Sequence, residues 1–412
     1  MKSIRVLYDE WVFWGTHGGT SRLFSEVMKN LPEGFEWKLT VVCTPNEFIK
    51  APPFNIPPSR LSYEDFVARI LRGHTFPGVH RFYLALGHLF PRLFPVPEVL
   101  NRNFRMRELR KGDYDIYHVT APHWYSFDWK VVAGRKPIVV TVCDLIPEII
   151  AHDGKIAYFR KPLLDAASHI VAITNHTKND LMRLYNVPEH KISVVHLGAN
   201  MGDEAGKGTP DLFDESYYGV ESGRYALFVG KRSHYKNFNW LLEAMAPFLR
   251  GECMNGMQCP PLKLFCTGMP FDASEVRLMR KLRIENRVVQ KFVSDDEMRQ
   301  VFRNAFCFLH PSLYEGFGLP VLDAFASGCP ALLANASCFP EVAGDAALYF
   351  DPTDVEDFRE KFTTCFVPGV RNGLIQKGHE RERLFSWKKC AKETSLVYEK
   401  VLDEWNASHN NK

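Results

Sequence analysis

Two cations and two carboxylates carry the chemistry of this chain. Arg232 and Lys236 lie in "KRSHYKNF" after the strand-like run "YALFVG", and Glu315 and Asp323 flank the glycines of "YEGFGLPVLDAFASG". An arginine in a turn after a strand grips a phosphate bidentately, and a nearby lysine adds a point charge. Gly316 and Gly318 let backbone amides approach a ligand, and a helix beginning near Leu319 adds its positive end. Together these could hold a diphosphate. The carboxylates need not touch it, because Glu315 and Asp323 can accept hydrogen bonds from hydroxyls on either side. A ligand that is anionic in the middle and polyhydroxylated at both ends is a nucleotide sugar. Plainer readings exist for the parts: basic turns are common, and an acid in the first turn of a helix accounts for Asp323 alone. It does not account for Glu315 and the cation pair together.

Other polar residues offer weaker signals. Gly18 and Gly19 precede the helical pattern "SRLFSEVMKN" and would place bare amides, with Arg22, on the opposite wall of a cleft; an ordinary βα turn explains them equally. His118 and His123 read as satisfied structural histidines. Asp113 and Asp115 in "GDYDIYH" form an Asp-x-Asp of the kind that holds metals, but a turn needs Asp and Gly there anyway. They read as turn residues.

The elements that must position these residues are short apolar runs alternating with helical patterns, as in βαβ units. The first half offers "SIRVLY", "KLTVVC", "IYHV", "IVVTVC", "HIVAIT" and "KISVVH". The second offers "YALFVG", "LKLFCT", "RVVQKFV", "FCFLH", "PALLA" and "ALYF". Ser294 and Glu297 form a capping box ahead of "MRQVFRNA", and Pro320 and Gly328 fit the start and stop of "LPVLDAFAS". Two such series in 412 residues predict an α/β protein of two Rossmann-like, doubly wound domains facing across a cleft. The expected division is 1–205, 206–385 and a final helix, 386–412, packing back toward the first domain. The Gly-rich stretch "GANMGDEAGKGTPDLFDES" is the linker candidate.

Composition excludes several classes. The net charge of +3 gives no argument for nucleic acid. Ten scattered cysteines, the nearest pair being Cys253 and Cys259, form no CxxC or Cys/His cluster, which suits free thiols rather than disulfides or zinc. No signal peptide and no membrane-spanning run appears, so a cytoplasmic location is expected. Residues 69–111 stand apart, with nine Lys/Arg against two Glu among many aromatics. They read either as a helical insertion or as a basic, aromatic surface for anionic lipid.

The ordered set "GGTSRLFSEVMKNLP", "VTVCDLIPE", "AITNHTKNDL", "ISVVHLGA", "LFVGKRSHYKNF", "FVSDDEM", "PSLYEGFGLPVLDAFASGCPAL" and "FPEVAGDAALYFDPTD" resembles the family 4 glycosyltransferases of the GT-B fold over nearly the whole chain. Within that family it is similar to the bacterial polysaccharide and glycolipid mannosyltransferase-like branch. The resemblance implies retaining, metal-independent hexosyl transfer from a nucleotide-diphosphate sugar, GDP-mannose or a UDP-sugar, to a glycan or lipid-linked glycan. It implies no cofactor and no nucleic-acid partner. Arg232 and Lys236 would bind the diphosphate, Glu315 the donor sugar and Asp323 the ribose. Val293, Phe317 and Leu319 would join Gly18, Gly19, Gly316 and Gly318 around the donor. The resemblance also implies a peripheral place at the inner membrane face.

Two positions depart from the family. Asp323 stands where Glu is usual, and Cys143 stands where His is usual, leaving Asp144 as a polar candidate for hydroxyl recognition. Cys143 as a nucleophile would need a neighbouring base, and the sequence offers none. Alternatives remain: a non-catalytic nucleotide-sugar-binding subunit, a nucleotide-sugar epimerase of the same fold, or a phosphorylase with a cofactor lysine.

Overall fold

The computed structural model describes residues 3–15, 18–58, 79–90, 93–94, 96–122, 128–199, 213–252 and 260–409. His123, Cys253, Cys259, Arg92, residues 69–78 of the basic segment and most of the linker candidate, with the expected boundary at 205, lie outside them. The chain divides into two compact units. The first holds Met1–Ile173, Thr177–His196 and Trp387–Lys412; the second holds Thr174–His176 and Leu197–Ser386.

The first unit is built on a parallel sheet of β1 Ile4–Tyr8, β2 Phe35–Leu39, β3 Ile116–Val119, β4 Ile138–Val142, β5 His169–Ala172 and β6 Ile192–Val194. Its order is β2-β1-β3-β4-β5-β6. The second unit carries β7 Tyr225–Phe228, β8 Lys263–Thr267, β9 Val288–Lys291, β10 Cys307–His310, β11 Ala331–Ala334 and β12 Ala347–Phe350, ordered β12-β11-β10-β7-β8-β9. Every residue of β4 and of β10 is buried. That is why these strands read as continuous apolar runs rather than alternating ones. Each fully buried Val, Ile or Leu there contributes about 1.5–3 kcal/mol.

One strand is displaced from its expected place. The run "KLTVVC" is the apolar signal, yet β2 ends at Leu39. Thr40 closes the ladder by donating from both its N–H and its hydroxyl to the Tyr8 carbonyl, each at 3.0 Å. Asn101 Oδ1 then accepts from the N–H groups of Val42 and Cys43 at 2.7 and 3.3 Å, which takes the chain out of the sheet. A side-chain amide replaces the neighbouring strand.

The strand orders fix where ligands can sit. In the first unit the winding reverses between β1 and β3, and in the second between β7 and β10. Loops leaving the carboxyl ends of such a strand pair splay apart and open a crevice. The β7 loop carries Arg232 and Lys236, and the β10 loop carries Glu315 and the two glycines.

The final helix, Trp387–His409, belongs to the first unit. Its Tyr398 hydroxyl sits 2.7 Å from the Tyr8 hydroxyl and 2.6 Å from His118 Nδ1. His118 Nε2 meets Thr141 at 2.8 Å, and burial lowers the imidazole to about 3. His118 is a neutral structural residue.

The basic segment contains two described helices, Val79–Leu89 and Pro97–Lys111. Arg105 is not a surface cation. It is buried and forms ion pairs with Glu10 and Asp128, with Trp11 beneath the guanidinium at 5.0 Å. Lys111 and Arg107 pair with Glu108. Phe82, Leu89, Phe90 and Leu93 are exposed. No helix among the described residues is long and apolar enough to cross a membrane.

Candidate active site

At the β7/β10 switch point the two loops are joined directly. Leu313 N–H donates to the Tyr235 carbonyl at 2.8 Å. Beside that link, the Lys236 ammonium forms an ion pair with Glu315 Oε1, and His310 Nε2 lies 3.2 Å from the same oxygen. His310 is the last residue of β10, so the strand end itself supplies the imidazole. Burial works to raise the Glu315 carboxyl, but the His310 hydrogen bond and the Lys236 charge outweigh it and hold the group at about 2. Burial lowers His310, so the imidazole is neutral and donates its Nε2 proton to the carboxylate. Glu315 is therefore a fixed, ionised acceptor.

The backbone around it is equally constrained. Glu315 N–H donates to the Ser337 hydroxyl at 3.0 Å, and the Gly316 carbonyl accepts from Thr174 at 3.1 Å. Gly318 takes φ +85°, and a Cβ there would come within 3.0 Å of the Phe339 ring. Only glycine satisfies both conditions. The helix Leu319–Ala326 starts straight after it with no side-chain cap; Pro320 carries no N–H and Val321 N–H donates to the Gly318 carbonyl at 2.8 Å, so Leu319 N–H is the leading amide beside the loop.

The remaining candidates fall into place as follows. Phe317 is buried, edge-on to Phe385 at 5.8 Å, and offers a ligand its backbone only. Asp323 is buried as the fifth residue of its helix, past the first turn, so stabilisation of the helix start does not explain it. Val293 is half-buried between β9 and the helix Asp295–Arg303, whose Ser294–Glu297 capping box is formed with Glu297 accepting from Ser294 N–H at 2.9 Å. Arg232 turns to the side. Its Nε meets Glu275 at 2.8 Å, and its Nη2 meets the Met269 and Pro270 carbonyls at 2.8 and 2.7 Å. A diphosphate would have to share that guanidinium with Glu275.

Gly18, Gly19 and Asp144 belong to the first unit. Gly18 caps the helix Gly19–Asn30 without a side chain, so its first amides are bare. Asp144 Oδ1 accepts from Ile146 N–H at 3.1 Å, after the end of β4. Burial pushes the neighbouring Cys143 thiol up to about 12, which keeps it protonated and unreactive. Asp113 and Asp115 both pair with Arg5 at the amino ends of the strands, away from the ligand edge.

Motif and spacing alone do not reveal Asp9, Thr120, Glu275 or His310 as site neighbours. Asp9 and Thr120 follow β1 and β3 at the first unit's switch point, where Asp9 accepts from the Thr120 hydroxyl and, at 3.2 Å, from its N–H. Burial pushes Asp9 up to about 7. Strand-end position is the one signal that could have found His310 and Asp9.

Comparison with known proteins agrees with this fold. Residues 216–366 match the family described as glycosyl transferases group 1, and residues 18–202 match glycosyltransferase family 4. An MMP alpha-(1->4)-mannosyltransferase of Mycolicibacterium hassiacum is 35% identical over 331 residues, 75% of this chain and 76% of that protein. O-antigen chain mannosyltransferase B of Escherichia coli is 28% identical over 292 residues, 69% of this chain and 75% of that protein. The Anabaena HepE structure in complex with UDP and glucose superposes with a TM-score of 0.68 at 16% identity, covering 96% of this chain and 100% of that one. The two parallel six-stranded units give the GT-B fold, and the family matches make the chain a glycosyltransferase. The chain belongs to glycosyltransferase family 4.

Proposed function

We propose that the protein moves a hexosyl group, with retention, from a nucleotide-diphosphate sugar to a glycan or lipid-linked glycan, without a metal ion. One observation carries the reading: the ionised Glu315, fixed by Lys236 and His310, sits immediately before a helix N-terminus that carries no side-chain cap, at a topological switch point. The helix start and Lys236 favour a diphosphate, and Glu315 favours a donor-sugar hydroxyl. The names of the mannosyltransferase relatives make GDP-mannose the first donor to test, and the UDP in the Anabaena structure keeps UDP-sugars beside it.

In this reaction the bond between the anomeric carbon and the phosphate oxygen breaks through an oxocarbenium-like state. Charge builds on the departing diphosphate, where Lys236, the free edge of Arg232 and the helix start stabilise it. The acceptor hydroxyl attacks from the same face and passes its proton to the leaving phosphate oxygen, so configuration is kept and no protein nucleophile is needed. The exposed Phe82, Leu89, Phe90 and Leu93, with Arg81 and Arg102, support a peripheral anionic-membrane contact that would bring a lipid-linked acceptor to the enzyme.

The test is release of nucleoside diphosphate from a donor panel with and without lipid-linked acceptors, with the product anomer read by NMR. Acceptor-dependent release with a retained anomer supports the proposal. Acceptor-independent conversion of the sugar would make the protein an epimerase, and binding without turnover would make it a carrier subunit.

A further inference from the structure

The first unit has a hollow on the edge opposite its crevice. It has a volume of about 270 Å³ and lies among the amino ends of β1 and β3, the turn entering β4, and the last turns of the helix Trp387–His409. That is just under the range of about 300–1,000 Å³ filled by drug-sized ligands, which suits one sugar ring and not a chain. Ser3, Asp115, Arg135, Lys136, Trp405 and Asn406 border it.

Local structure brings these residues together. Gly134 takes φ +74°, and the Val132 carbonyl accepts from Arg135 and Lys136 N–H at 2.9 and 3.2 Å, which fixes the turn ahead of β4. Trp405 and Asn406 share a helix face with Leu402 at i, i+3 and i+4. His409 stacks on the Trp405 indole, 4.0 Å between ring centres and 17° from parallel. Asp115 is already engaged by Arg5: its Oδ2 accepts from the backbone N–H at 2.9 Å and from Nε at 3.3 Å, and its Oδ1 from Nη2 at 3.2 Å. The Arg135 and Lys136 side chains make no hydrogen bond or ion pair among the described residues. Lys136 reaches Asp115, and Arg135 reaches Tyr114, through space alone.

Two plainer roles cover parts of this. A half-buried indole docks the final helix, and cations near a helix carboxyl end offset its dipole. Neither calls for a hollow bordered at once by an indole, an amide, a hydroxyl and two cations. A pyranose matches that set, because its C–H face is apolar and its rim is hydroxylated, and an indole gives a rigid apolar face beside polar partners. The cations add a demand for negative charge. Arg5 is matched with Asp113 and Asp115, so the local excess is small. A carboxylate carries one charge and suits it, whereas a phosphomonoester carries about −1.5 to −2 and would crowd Asp115. The hollow is also remote from the crevice. Asp115 precedes β3 and Thr120 follows it, about 17 Å apart at about 3.3 Å per residue.

We propose that this hollow is a binding site for a single uronate-type sugar, a pyranose ring bearing one carboxylate, on the side of the first unit away from its crevice. Arg135 and Lys136 take the carboxylate, Trp405 takes the ring face, and Asn406 and Ser3 take hydroxyls. It uses no donor residue and stands whether or not the donor assignment holds.

The experiment is saturation-transfer difference NMR on the full chain, titrated with methyl glucuronide and with methyl glucoside. The native protein should give a saturable signal from the glucuronide and none from the glucoside. Arg135→Gln/Lys136→Gln should lose at least about tenfold in affinity, about 1.4 kcal/mol. Trp405→Ala should lose the signal of the ring protons, with a circular dichroism melting curve reporting its folding. Arg135→Gln alone, at an exposed position, keeps the fold and should lose at least about threefold. Equal glucuronide binding by the native and Arg135→Gln/Lys136→Gln proteins, equal binding of the two sugars by the native chain, or no binding of either, would overturn the proposal.

Discussion

Nε2 of His310 lies 3.2 Å from Oε1 of Glu315, and the Lys236 ammonium meets that same oxygen. One carboxylate oxygen is thereby committed, and the other is left for a ligand. In the proposed reaction the imidazole acts by positioning the carboxylate. His310→Gln keeps an N–H donor at the Nε2 position and should stay within about threefold of native kcat. His310→Phe removes a hydrogen bond to a charged group, about 1.5–3 kcal/mol, and should cost tenfold or more in kcat. It should also move the acid limb of the pH profile upward, because the carboxyl loses a partner that holds it ionised. Equal activity in both variants would remove His310 from the site.

Acid should weaken the fold through the same carboxylate. Glu315 falls from the ordinary 4.5 to about 2 in the folded chain, so the unfolded chain takes up its proton first as pH drops. The stabilisation is complete above about pH 4.5 and lost as pH falls toward 2. Urea midpoints of native and Glu315→Gln proteins should therefore converge as pH falls from about 4.5 toward 2. A gap that stays constant with pH would contradict the assignment.

Cys143 should be chemically silent. With its thiol pushed up to about 12, iodoacetamide at about pH 7.5 should leave activity intact, and Cys143→Ser should retain turnover. Loss of activity in both experiments would place the thiol in the chemistry.

Membrane contact should depend on apolar side chains more than on the whole basic segment. Arg105 is interior, and its replacement by Gln should destabilise the fold by leaving Glu10 buried without its cation, at about 3–5 kcal/mol. Leu89→Asp/Leu93→Asp should abolish co-sedimentation with anionic vesicles, and Arg81→Gln/Arg102→Gln should weaken it in a salt-dependent way. Sedimentation that is unchanged in the leucine variant, or absent in the native chain, would leave the segment as a structural insertion.

The readable parts of this protein are the local ones. Apolar runs such as "IVVTV" and "CFLH" declare buried parallel strands, and the spacing of Glu315, Gly316 and Gly318 before Pro320 declares a loop feeding a helix. What the sequence hides is pairing over distance. Arg105 looks like one more cation in a basic tract, and its partner Glu10 is 95 positions away. Arg232 looks like a free phosphate ligand until Glu275, 43 positions on, takes its Nε. The end of β2 is hidden for the same reason, since Asn101 intercepts Val42 and Cys43 from 59 and 58 positions away.

The central claim is that the β7 and β10 loops bind a nucleotide diphosphate through protein groups alone. Calorimetric titration of GDP and UDP into the native chain in excess EDTA tests it most directly, with Lys236→Gln measured alongside and its folding verified by circular dichroism. One nucleotide should bind at a single site without metal, and Lys236→Gln should bind it at least about tenfold more weakly, the effect of losing a charge-assisted contact. No binding of either nucleotide until Mg²⁺ or Mn²⁺ is restored, or equal affinity in the folded Lys236→Gln protein, would contradict the account.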